Sequence, residues 1–302
     1  MFAKFSTFAK NDAIRRTSGY YFLFMCLGLD SAILGPTLPA LASQTASRLG
    51  QMGLVFLVGA IGFTLGTLIG GRVFDRLPGH PVLGIAQLCA AVLIFFIPLA
   101  SSLWILLAVL VCKGFAESFV NTGANALLVW THGEKVAPFM NGLHFFYGLG
   151  AFLSPFLVAQ VVGVAGGYRW AYWVLAAFAA LVGLRMLSMS GSPHPAQAHS
   201  KDAAQNPRGP VSYALVISAM LFLFFYVGAE ITFGGWVYTY AVTLKLASAA
   251  GAAYLTSAFW AAFTVGRLIS IPAATRFTPK QVIQLLKDAW QVPNPIAVGI
   301  IK

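Results

Sequence analysis

Eight long apolar runs, at about residues 19–41, 50–71, 82–100, 102–130, 137–165, 169–190, 212–241 and 248–275, alternate with short polar links. Each is close to or longer than the ~20 residues that a helix needs to cross ~30 Å of hydrocarbon. Backbone groups in lipid must satisfy their own hydrogen bonds, so every run is predicted to be a helix. The fourth and seventh runs are long enough to tilt or to extend past the membrane.

The polar links carry an asymmetric charge. With the N-terminus placed in the cytoplasm, Arg48, Arg169 and Lys245 fall on outer links and Lys113 falls inside a helix; the rest of the 19 Lys and Arg lie on the inner side. That bias predicts a multi-pass chain with a cytoplasmic N-terminus. The first 18 residues are polar and basic, and the run behind them lacks a clear cleavage site. It reads as a first membrane helix rather than a removed signal peptide.

Composition agrees with the pattern. The chain has 302 residues, of which 59% are hydrophobic and 9% charged, with a mean hydropathy of +0.80. Soluble domains carry about 25% charged residues, so this chain has too little polar surface to cover a water-facing globule. The net charge of +11 is explained by the inner links and does not call for nucleic acid. Cys26, Cys89 and Cys112 all lie in apolar runs without metal-ligand spacing, so neither a metal nor a cofactor is expected.

Two successive helices repeat. Gly28, Asp30 and Gly35 are matched by Gly228, Glu230 and Gly235. At the same offset, Phe63, Thr64, Gly66, Leu68 and Ile69 are matched by Phe263, Thr264, Gly266, Leu268 and Ile269, and Arg76 by Arg276. The first and seventh helices are therefore equivalents, as are the second and eighth. Two halves in the same orientation, each based on a six-helix unit, are an arrangement found in transporters. The expected organisation is an N-terminal six-helix half over 1–190, a cytoplasmic linker over 191–211 and the first two helices of a second half over 212–275. A non-spanning tail follows over 276–302, with a short amphipathic stretch at Lys280–Trp290.

Several motifs carry a family resemblance. After the second helix, Gly71, Arg72, Asp75 and Arg76, followed by Pro78, Gly79 and His80, resemble the signature of the major facilitator superfamily. Asn121, Thr122, Gly123, Ala124 and Asn125 in the fourth helix resemble the fucose–galactose–glucose symporter family. So do Asn141, Gly142, His144, Tyr147, Gly148 and Gly150 in the fifth, with Ser154 and Pro155 after them. Tyr226, Gly228 and Glu230, then Gly234, Gly235, Trp236 and Tyr240, extend the likeness to the seventh. It is closer still to the sodium-dependent glucose transporter-like branch. The resemblance covers about residues 18–280.

What it implies is an all-α polytopic bundle of the major-facilitator type that moves a sugar or similar small polar solute by alternating access, coupled to Na+ or H+. Gly71, Arg72, Asp75 and Arg76 would form a conformational latch. One departure is specific: Asn121 stands where sugar symporters of this family carry an acid, and Asn carries no proton. Glu117 lies four residues earlier on the same helix face, displaced by ~6 Å along the axis. An efflux antiporter of the same superfamily and a truncated, non-transporting membrane protein are the alternative readings.

Four ionisable residues sit deep in apolar runs: Asp30, Lys113, Glu117 and Glu230. Each costs at least ~2.5–3.5 kcal/mol to insert, so such residues face a cavity or a partner. Lys113 and Glu117 are spaced to pair along one helix, with partners on other helices equally open. Asp30, Glu117, Asn121, Asn125, His144, Tyr147, Glu230 and Trp236 are the candidate residues for solute binding or coupling. Gly35, Pro36 and Pro39 are expected to kink the first helix. No enzyme motif is found: there is no Gly-x-Ser-x-Gly elbow, His-x-x-His pair or phosphate-binding Gly-rich loop. The expected partners are a small solute and the lipid of a plasma or inner membrane.

Overall fold

The structure, a computed structural model, describes residues 2–165, 167–193 and 213–276, with Gln281 and Gln284. Among them are eight long helices: α1 (Phe2–Gln44), α2 (Gly53–Phe74), α3 (Gly79–Phe96), α4 (Leu103–His132), α5 (Ala137–Ala165), α6 (Arg169–Leu187), α7 (Tyr213–Thr243) and α8 (Ala249–Arg276). All eight contain a stretch long and apolar enough to span a membrane. The expected linker beyond Pro193 and nearly all of the expected tail, including most of Lys280–Trp290, lie outside the described residues.

The helix ends follow local chemistry. Ser102 caps α4, its hydroxyl accepting from the Ile105 amide at 3.4 Å. Gly133 closes the same helix at φ +55°, a left-handed position that a side chain would strain. Pro78 precedes α3, where its missing N–H costs nothing. Pro36 and Pro39, where a kink is expected, lie inside a helix that is continuous through both. Neighbouring helices supply packing there: Leu34, Leu38 and Leu41 are buried, and the Thr37 hydroxyl, 2.8 Å from the Ile33 carbonyl, also meets the Tyr172 hydroxyl at 2.7 Å on α6.

Within Met1–Ala261, the dominant packing pairs are α1 with α5, α2 with α4 and α3 with α6. Each pair has a glycine on both sides of the contact. A Cβ on Gly28 would strike the Tyr147 carbonyl, and one on Gly150 would meet the Leu29 amide at 2.8 Å. Gly62 lies against Val111 and Gly114 against Gly59, while a Cβ on Gly84 or on Gly183 would stand 3.0 or 3.2 Å from the other's carbonyl oxygen. In lipid, close backbone approach of this kind replaces much of the hydrophobic driving force between helices. Large side chains such as Leu68, Trp104, Leu181 and Phe224 point outward, as lipid-facing residues do. The unit Ala262–Lys302 holds the rest of α8, in which the Arg267 guanidinium stacks 4.3 Å from the Phe263 ring.

Candidate functional site

The fourth helix carries a polar stripe in an apolar setting. Lys113, Glu117, Asn121 and Asn125 recur every four residues, so they line one face. Lys113 is buried; the other three are half-buried. Asn125 donates its amide to the Asn121 backbone carbonyl at 2.9 Å and to the Asn121 side-chain oxygen at 3.3 Å.

Where α1 meets α4, Lys113 joins two carboxylates. Its ammonium donates to Oδ2 of Asp30 on α1 and, at 3.0 Å, to Oε2 of Glu117. Asp30 is 3% exposed and Lys113 5% exposed, so little water screens them. The i,i+4 pair was legible in the sequence; the Asp30 contact was not, because nothing in the spacing of residues so far apart dictates it.

Beside this cluster lies a second polar group. Ser31 follows Asp30 on α1, and the Tyr147 hydroxyl on α5 donates to Ser31 Oγ at 2.9 Å. Ser31 in turn donates to the Gly28 carbonyl at 3.0 Å. The close crossing of Gly28 and Gly150 is what brings Tyr147 within reach. Ser31 carries no sequence signal except its adjacency to Asp30. His144, one turn before Tyr147, is half-buried with its ring edge-on to Phe24 at 5.7 Å. Lys113 thus holds Asp30 and Glu117 together and Tyr147 reaches Ser31, the residue after Asp30, with Asn121 and Asn125 continuing the α4 stripe.

The remaining candidates lie on the seventh helix. Glu230 is half-buried on α7. Trp236 is half-buried with its ring 6.4 Å from that of Phe56 on α2, and the Phe56 ring also covers Gly235. Gly35 of α1 faces Gly234 and Gly235 so closely that a Cβ there would stand 2.8 Å from the Gly234 carbonyl oxygen. Gly35 and Gly235 are repeat equivalents, so the two helices cross at matching points.

The signature at the end of α2 and just beyond it is exposed at Gly71, Arg72, Asp75 and Arg76. Among the described residues Asp75 makes no ion pair, and the Arg72 guanidinium donates to the Leu68 carbonyl at 3.3 Å. His80, which follows the signature, is fully buried. Its Nε2 pairs with the Tyr20 hydroxyl at 2.8 Å, and its backbone N–H donates to Ser192 Oγ at 2.8 Å. That ties α1, α3 and the segment after α6 together. No cluster of three metal-ligating side chains occurs among the described residues.

Comparisons with known proteins agree with this architecture. The chain is 31% identical over 298 residues to "Sodium-dependent glucose transporter 1A" of Mus musculus, covering 88% of this chain and 70% of that protein. It is 29% identical to "Sodium-dependent glucose transporter 1" of Homo sapiens, covering 87% of this chain and 57% of that one. The fold is similar to that of a D-xylose-proton symporter crystal structure, with a TM-score of 0.64 at 14% identity, over 87% of this chain and 69% of the other. Residues 20–286 match the Major Facilitator Superfamily, and the chain belongs to that family.

Proposed function

We propose that this chain serves secondary active transport of a sugar or similar small polar solute, driven by a monovalent cation gradient through alternating access. The observation that carries the reading is the buried Asp30–Lys113–Glu117 cluster beside the polar groups of Ser31, Tyr147, Asn121 and Asn125. Charges in the apolar middle of a helical bundle are costly to insert and mark ion or solute paths. Hydroxyls and amides on α1, α4 and α5 suit sugar hydroxyls, which both donate and accept hydrogen bonds. The names of the relatives point to glucose and sodium, and the basic inner links favour a cytoplasmic N-terminus in a plasma or inner membrane. The exposed Gly71, Arg72, Asp75 and Arg76 would act as a latch by pairing in another conformation. Trp236 and Glu230 would contribute from the seventh helix.

Labelled hexose uptake into proteoliposomes tests this directly. Uptake that rises with an imposed sodium or proton gradient, and loses its gradient dependence in Glu117→Gln, is the expected result. Correctly inserted protein that moves no hexose under either gradient would overturn the proposal.

A further inference from the structure

Two helices bring three arginines to one level of the bundle. Arg15 and Arg16 lie on α1 just before its apolar run, and Arg185 lies in the last turn of α6. Nη2 of Arg185 donates to Ser18 Oγ at 3.0 Å and to the Arg15 carbonyl at 3.4 Å, which holds the guanidinium against α1. Its Nη1 and Nε donate to nothing among the described residues. Arg15 meets one carboxylate, Asp12, at 3.6 Å, with both side chains 51% exposed. That separation is too long for a good hydrogen bond, and an ion pair so exposed is worth little. Arg16 turns toward Gly191, where an added Cβ would stand 3.2 Å from its Nη2, and pairs with no acid among the described residues. Three guanidinium groups thus face a single carboxylate.

One turn further along each helix the surface is apolar and open. Ile14, Ser18 and Phe22 recur every four residues and share a face of α1. Ile14 and Phe22 are exposed on it, as are Leu181 and Leu184 on α6. Phe22 meets Phe178 of α6 at 6.4 Å and Phe146 of α5 at 6.3 Å, both edge-on, so these rings floor a shallow groove beside α1. Arg185 and Phe178, seven residues apart, lie on one face of α6, and Leu181 stands between them. A cationic end and an apolar strip are therefore continuous on one surface.

We propose that this groove between α1 and α6 binds one phospholipid with a net negative head group, its phosphate held by Arg185 and Arg15 and an acyl chain laid over Phe22 and Leu181. Guanidinium groups pair with phosphate through parallel N–H donors, and the donors of Arg185 that meet no protein acceptor supply them. Basic pockets between membrane helices take acidic head groups on the cytoplasmic side. With the N-terminus inside, Arg185 stands at the level of the inner leaflet. The site is independent of the transport reading, because occupancy is read by binding alone.

Native mass spectrometry of the full chain in a neutral detergent counts the lipids bound as phosphatidylglycerol or phosphatidylcholine is titrated in. Wild type is expected to retain one phosphatidylglycerol per chain, several-fold more tightly than phosphatidylcholine. A basic residue at a membrane surface is worth about fivefold in affinity for an acidic lipid, so Arg15→Gln and Arg185→Gln should each weaken binding by about that factor. Lys135→Gln removes the same charge from the turn before α5 and should change nothing. Asp12→Asn, which frees Arg15, should tighten binding, and Glu134→Gln should not. Equal retention of the two lipids, or equal losses in Arg15→Gln and Lys135→Gln, would overturn the site, since net charge alone would then account for the binding. Glycerophosphoglycerol, the same head group without acyl chains, and inorganic phosphate serve as competitors. Full displacement of the lipid by either at millimolar concentration would make this a plain anion site and overturn the lipid assignment. If Arg185→Gln does not fold, Arg15→Gln against Lys135→Gln decides, because the Arg15 side chain makes only the loose contact with Asp12 among the described residues.

Discussion

Gly35 has no room for even one methyl group. A Cβ there would lie 2.8 Å from the Gly234 carbonyl oxygen and 3.2 Å from that of Gly235. Both are backbone atoms, which cannot swing aside as a flexible side chain does. Gly35→Ala therefore has to push α1 and α7 apart, and a well-packed contact resists such overpacking by about 1–3 kcal/mol. The Phe56 and Trp236 rings lie close to the same crossing, so a Phe56→Cys/Trp236→Cys pair reports on it. With the exposed Cys89 and Cys112 replaced by Ala, cross-linking of that pair by a bifunctional maleimide should be efficient. Adding Gly35→Ala should lower the yield several-fold. An unchanged yield would mean that the crossing is not set by this glycine. The sequence pointed to Gly35 for a different reason, as part of a proline kink. It could not reveal the crossing, because the partner glycines lie on a helix remote in sequence.

Small residues decide how the helices pair. On α2, Gly62, Gly66 and Gly70 recur every four residues, and they meet Val111, Ser118 and Thr122 of α4. From the other side, Gly114 rests on Gly59, and a Cβ there would stand 3.1 Å from the Phe63 amide. Interlocking small faces are how membrane helices gain van der Waals contact without a hydrophobic driving force. Gly114→Leu should separate α2 from α4 and with them the Lys113 turn next door. The expected outcome is a melting point lower by several degrees, with loss of the monodisperse peak in gel filtration. A Leu at the exposed Gly71, where nothing lies within 4 Å of an added Cβ, should leave both unchanged. Helix existence was readable from the sequence because span length is dictated by the bilayer. Pairing was not, since the same apolar surface faces lipid and neighbouring helices alike. Only the spacing of glycines hinted at it. The charged cluster was half legible for the same reason: Lys113 and Glu117 lie on one helix, whereas Asp30 reaches them only through the packing of α1 on α4.

For the whole molecule, orientation decides what the site can couple. The repeat that relates Asp30 to Glu230 and Gly35 to Gly235 was visible in the sequence because it is a matter of spacing, and the structure places the first set on α1 and the second on α7. Direction across the membrane has a different physical origin, the excess of Lys and Arg on one set of links. With the N-terminus inside, the links at Arg48 and Arg169 face out, and the turn at Lys135 faces in. Single-cysteine substitutions at the three positions, in a background with Cys89 and Cys112 replaced by Ala, test this in intact cells. A membrane-impermeant maleimide should label Arg48→Cys and Arg169→Cys at once and Lys135→Cys only after permeabilisation. The reverse pattern would invert the chain. Arg169 adds a control, since its guanidinium reaches Gln44 at 3.5 Å, and Gln44 also donates to the Ala100 carbonyl at 2.8 Å and accepts from Tyr168. Those contacts gather the ends of α1 and α3 and the start of α6 at one surface. Because Arg48 follows α1 shortly after Gln44, both cysteines must label from the same side whatever the orientation, and a split between them would argue against the eight-span order itself.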